Sequence, residues 1–318
     1  MVTADVMDTD ENALMSDHEP QDEADDDDGT EAQVLTGPGT KKAGHLDRFW
    51  LLANAKTSPL CITASSKVLK YVAENPGETD YSLKRLLRGL ASPVETSRNN
   101  FFVCLVEFLR QNRQELGNVQ QELKQSLRLT GSKGEESVFL LGQILAYVAL
   151  LRSGTVTEKE ERLTVLGELA ELGSKRTYLN LIAMSAITEH FVKMDDIESD
   201  QLVETVGRCF KLTLDEASLD TLFFILSFLR SRGQSVPSKF LSENFGFKEI
   251  EKTSTLERLC QMLTGTMLPM NVILIHPVFP VLASLLVERQ CEAKLFANLV
   301  PSMSASSYKG QIGVKLLR

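Results

Sequence analysis

The sequence predicts an all-α protein: an armadillo/HEAT-like helical-repeat solenoid over residues 45–318, preceded by a disordered acidic tail over residues 1–44. Three observations predict it. From Leu46 onward apolar residues recur at spacings of three and four, glycines and prolines fall between the periodic stretches, and almost no stretch alternates as a strand would. The 318 residues then divide into about a dozen helices with no heptad pattern, which suits stacked helix pairs better than a single bundle. An armadillo or HEAT period is not visible as self-similarity.

The tail is set apart by charge. Residues 1–31 hold 13 of the 43 acids and no Lys or Arg precedes Lys41, so a segment of formal charge −13 joins a body of +4. The run Asp25 to Asp28 and the turn Gly37-Pro38-Gly39 leave too few large apolar side chains to offset the entropy of ordering. Such a segment serves solubility and self-shielding, or acts as an electrostatic arm for basic clients. Met1 to Asp10 lacks the basic and apolar regions of a secretory or mitochondrial signal, which predicts an intracellular chain.

Along the body, a first helix carries Phe49-Trp50, a second covers Cys61 to Glu74 before Pro76-Gly77, and a third runs from about Asp80 to Ala91. Ser92-Pro93-Val94-Glu95 reads as a fourth start, with Ser92 at the cap, Pro93 in the first turn and Glu95 bonding back. Glu136 to Arg152 is a helix ended by Gly154. Its apolar run, Val138 to Leu151, is short of a bilayer span and reads as buried. Thr157 opens the next helix by the same capping logic, and Gly173 is its expected left-handed cap. Lys175–Val192, Ile197–Phe210, Asp215–Arg230, Leu256–Leu263 and Val278–Gln290 follow. Phe223, Phe224 and Phe228, like Phe49 and Trp50, are expected to pack inward.

Several chemistries are disfavoured. Cys61, Cys104, Cys209, Cys260 and Cys291 are far apart, with no Cys-x-x-Cys and no nearby His pair, so zinc and disulfide scaffolds are not predicted. No phosphate-binding glycine loop or dinucleotide fingerprint occurs, and no cofactor or metal is expected. His45, His190 and His276 lie apart from any nucleophile motif, and Pro277 beside His276 fits a helix start. The candidate metal carboxylates are Asp8 with Asp10, the run from Asp25 to Asp28, and Asp195-Asp196. Two of these lie in the tail and one at a helix junction, so an enzyme is not predicted.

The third helix carries the candidate site. Leu83, Leu86, Leu87 and Leu90 form its inward stripe, so Lys84 and Arg88 project together with Arg85 beside them. Arg98 on the next helix, with Arg110 and Arg113 near its end, extends this face if the helices pack antiparallel. Guanidinium forks suit phosphate oxygens; the same residues also describe an ordinary solvated face or bases opposing a helix dipole. The body charge of +4 is modest, and no basic-aromatic ribbon accompanies it. A helix-pair array also offers a groove for a partner's helix or extended peptide.

The stretch Tyr81-Ser82-Leu83-Lys84-Arg85-Leu86-Leu87-Arg88-Gly89-Leu90, followed by Glu95-Thr96-Ser97-Arg98 and Phe101, resembles the N-terminal signature of the Myb-binding protein 1A and DNA polymerase V (phi) family. Phe49-Trp50, Leu141-Gly142 through Ser153-Gly154, and His276-Pro277-Val278-Phe279 resemble further elements of that family in the right order. The family usually has glycine where Asn100 stands. Its members are generally several times longer with a basic C-terminal tail, so the resemblance implies that residues 45–318 are the N-terminal part of a longer array. The resemblance implies a nucleolar helical-repeat protein of ribosome biogenesis, including rRNA processing, and of transcription regulation, including rRNA genes. Its implied partners are rRNA or rDNA, transcription factors and pre-ribosomal proteins, with no membrane and no small-molecule substrate. The resulting expectation is a non-catalytic scaffold in the nucleus and nucleolus, with Lys84, Arg85, Arg88 and Arg98 as its binding residues. A template-directed DNA polymerase, as the family name suggests, and a karyopherin-like transport adaptor are the alternatives.

Overall fold

Proline, glycine and side-chain caps divide the periodic stretches into helices. The structure, a computed structural model, describes residues 44–113, 118–128, 136–265 and 275–303. These belong to a unit spanning Gly37–Arg318; a second unit, Met1–Thr36, and the remainder of the predicted tail up to residue 43 lie outside the described residues. The protein is all-helical, with no strand among the described residues.

The helices are α1 Gly44–Asn54, α2 Ser58–Glu74, α3 Thr79–Gly89, α4 Glu95–Gln111 and α5 Val119–Ser126, with a short 3-10 turn, Pro76–Glu78, before α3. Then come α6 Glu136–Ser153, α7 Lys159–Ser174, α8 Thr177–Phe191, α9 Ser199–Gly207 and α10 Leu219–Arg232. The last are α11 Ser238–Phe245, α12 Thr253–Gly265, α13 Val278–Glu288 and α14 Glu292–Met303. Pro59 sits in the first turn of α2, where its missing N–H costs no helical bond. Ser218 caps α10 by accepting from the Thr221 amide at 3.2 Å. Gly154, at φ +68°, turns the chain out of α6 as expected.

Three expected helix signals are corrected. Ser92 is not the cap of α4: its hydroxyl accepts from the Val94 amide at 3.3 Å, Val94 is the cap residue, and the helix begins at Glu95. Thr157 likewise gives way to Glu158, which caps α7 through its backbone alone. At Ser92 the hydroxyl turn satisfies a local amide instead of capping the helix, and both starts, Val94 to Thr96 and Glu158, are exposed. Gly173 does not end α7. It remains helical, and α7 and α8 cross there so closely that a Cβ on it would lie 2.5 Å from the Ala183 Cβ.

α2, α4, α6, α8, α10 and α13 pack each against the next. A second set lies on them: α1 on α2 and α4, α3 on α4 and α6, α5 on α3 and α6, and α7 on α6, α8 and α9. Among the described residues these contacts join helices near one another in sequence, the contact pattern of a helical solenoid. α6 is long and apolar enough to cross a membrane by length and composition, but 56% of it is buried inside the protein. Phe224 and Phe228 are fully buried and Phe223 nearly so, as expected. Phe49 is also core, whereas Trp50 is 40% exposed and does not share its packing. Leu86 is wholly buried, and burial of a leucine contributes about 1.5–3 kcal/mol.

Candidate nucleic-acid interface

α3 is strongly two-faced. Leu83, Leu86, Leu87 and Leu90 are buried, so the intervening basic residues are turned outward. Lys84 and Arg88 are exposed one helical turn apart. The Arg88 side chain has no ion pair or hydrogen bond among the described residues, while the Lys84 ammonium lies 3.6 Å from the Glu122 carboxylate on α5. Arg85 is half-buried, its guanidinium 5.8 Å from the centroid of the Phe49 ring.

Arg98 is brought to the same end of α3 by the turn between α3 and α4, where it donates to the Ser92 carbonyl at 3.0 Å. That bond commits part of its fork to the turn itself. Arg110 and Arg113 do not extend the face. Arg110 lies about 18 Å further along α4 at 1.5 Å per residue, paired to Glu107 at 2.6 Å. Arg113 donates to the Gly154 carbonyl. The site is therefore Lys84 and Arg88 in solvent, flanked by Arg85 against an aromatic ring and Arg98 at the turn.

The residues around this site have a steric reading. A Cβ on Gly89 would lie 2.2 Å from the Phe101 ring, so that ring rests directly on the α3 backbone. Asn100, beside it, is buried and donates its amide to the Leu52 carbonyl at 3.0 Å and the Ala55 carbonyl at 2.7 Å. It therefore satisfies carbonyls at the C-terminal end of α1, which a helix leaves without internal partners. His276 is equally structural. Its Nδ1 accepts from the Val278 amide at 3.1 Å, and its Nε2 faces the Asp220 carboxylate at 3.0 Å, tying the start of α13 to the first turn of α10.

Asp195 and Asp196 are exposed between α8 and α9, and Asp196 is paired with Arg162. Asp8, Asp10 and the run from Asp25 to Asp28 lie outside the described residues. No group of three or more His, Cys, Asp or Glu able to hold a metal occurs among the described residues. The five cysteines are free thiols, and burial pushes the pKa of Cys104 up to about 12.

Two surface features carry no sequence signal of their own. A cleft of about 610 Å³ between α7 and α9 is lined by Glu160, Glu168, Glu171 and Glu204, with Arg208 paired to Glu204 at 2.6 Å. An apolar groove lies along α2, α4 and α6.

A family model described as DNA polymerase phi matches residues 81–282, more than half of the chain, starting at Tyr81 on α3. No curated protein and no solved structure gives a significant match.

Proposed function

Because the chain belongs to the DNA polymerase phi family, we propose that it is a non-catalytic nucleolar scaffold, acting in rRNA processing and in transcription regulation that includes the rRNA genes. Its rows of packed helices hold surfaces in fixed relation, and the solvent face of α3 contacts the phosphates of rRNA or rDNA. The observation that carries the nucleic-acid part is the pair Lys84 and Arg88, held outward one turn apart by a buried leucine stripe. Arg88 brings an unengaged guanidinium fork, whose geometry matches two phosphate oxygens. Arg85 and Arg98 add positive potential from either side. Transcription factors and pre-ribosomal proteins are the protein clients, and the acidic segment engages or screens basic ones.

The test is binding of a structured rRNA fragment by the full chain across a salt series. Arg88→Glu, alone and with Lys84→Gln, is expected to weaken binding. It should also flatten the salt dependence by about 0.7 in log–log slope for each single-strand phosphate that the variant no longer neutralises. Both side chains are exposed, so the melting temperature should hold. Unchanged affinity would remove α3 from the interface. Nucleotide incorporation with Mg²⁺, abolished by replacing a body carboxylate, would replace the scaffold reading with a polymerase. Capture by a nuclear GTPase would replace it with a transport adaptor.

A further inference from the structure

Away from α3, the α2–α4–α6 face carries an apolar groove of about 410 Å³. Its floor includes Leu69, Phe102 and Val106, all half-buried, and its lips are Ile62, 63% exposed, and Val103, 50% exposed. Aliphatic side chains left this open on adjacent helices cost hydration free energy that a covering surface would recover.

The groove has a polar grammar as well. Arg110 and Arg152 also line it, both substantially exposed, together with Glu107. Each has one N–H on a carboxylate, Glu107 for Arg110 and Glu189 for Arg152, at 2.6 Å in both cases. The Arg152 guanidinium is also held 5.5 Å from the centroid of the Phe102 ring. A guanidinium carries five donors, so N–H groups remain to receive a further carboxylate.

Aliphatic lips disfavour nucleic acid. A furrow between two side-by-side helices matches the ridge of a third, and a lining that sets two arginines against the single carboxylate of Glu107 favours an acidic one. We propose that this groove docks an amphipathic helix of a partner protein. Its aliphatic side chains at i, i+3 and i+4 sit between Ile62 and Val103, and an acidic residue one turn away meets Arg110 and Arg152.

The probe is a short fluorescein-labelled, hydrocarbon-stapled peptide with leucines at those positions and one aspartate a turn away, titrated with the full chain. Ile62→Asp and Val103→Asp are each expected to raise Kd roughly 10-fold or more, with unchanged melting temperature because both positions are exposed. Arg110→Glu should weaken the aspartate peptide and strengthen a lysine version of it. The proposal fails if a leucine-to-serine peptide binds as well as the parent, or if Val103→Asp leaves Kd unchanged. It also fails if sedimentation shows that Ile62 and Val103 instead join two copies of the chain, or if Val103→Asp abolishes rRNA binding while the peptide does not bind.

Discussion

Around α8, α10 and α11, Phe191, Phe224, Phe228, Phe240, Phe245 and Phe247 close on one another at ring-centroid distances of 5.4 to 6.4 Å. Around α2 and α4 an apolar core is present as well, with Val68, Phe101, Leu105 and Phe108 buried, but Ile62 and Val103 stay open and Asn100 bridges two carbonyls of the α1 terminus. The first region commits its phenylalanine rings to one another. The second adds a directional lock at the backbone to its apolar packing and leaves two aliphatic side chains in solvent. Both proposed binding surfaces lie in or beside the second region.

The sharpest way to break this comparison is Phe228→Ala. Phe228 touches four other rings of the cluster, so truncation should cost about 3–5 kcal/mol, seen as a lower urea midpoint. The expected outcome leaves peptide and rRNA affinity of the folded fraction unchanged. A loss of about 1 kcal/mol or less would mean that the aromatic cluster is no core in the sense used above.

Between the two regions stands His190 at the end of α8. It is buried, its Nε2 has no partner, and burial lowers its pKa from 6.5 to about 4, with the cationic neighbours Lys193 and Arg152 adding to the effect against Glu189. The folded protein holds it neutral while the unfolded chain takes up a proton near the ordinary value. Between those two values the unfolded state binds more protons, so stability falls as pH drops through that window and levels off below it. The loss should be on the order of 3 kcal/mol at about 1.4 kcal/mol per unit. Urea midpoints at neutral and acid pH should converge in His190→Leu. An equal acid loss in the variant would show that the junction is wet.

The sequence made the helices legible because leucines at three and four residues have no other economical arrangement, and α3 was legible for the same reason: four buried leucines force Lys84 and Arg88 outward. Helix ends were less so. Ser92 and Thr157 look like caps in isolation, but α4 and α7 begin one or two residues later, behind Val94 and Glu158, whose side chains make no capping bond. The short polar helices α5 and α11 carry too few apolar residues to announce themselves. Within the site, the Lys84–Glu122 and Arg98–Ser92 contacts depend on how helices and turns come together, which periodicity does not encode. Ile62 and Val103 read like any other apolar helix position, so nothing in the spelling marked them as open.

The smallest effect tests the directional lock itself. The Asn100 amide engages Leu52 and Ala55 across the α1–α4 junction. Asn100→Ala should cost about 1–3 kcal/mol, since two acceptors lose a buried donor that water cannot readily replace. Asn100→Gly should cost at least as much: it removes the same donor and adds backbone freedom inside α4. Chemical-denaturation midpoints of the two variants decide the matter. If glycine is as stable as asparagine, the α1 terminus is satisfied by other means and the amide only fills space. If both variants fall together, and peptide affinity at the α2–α4 groove weakens with them, the hold on the α1 terminus is also what keeps that groove in shape.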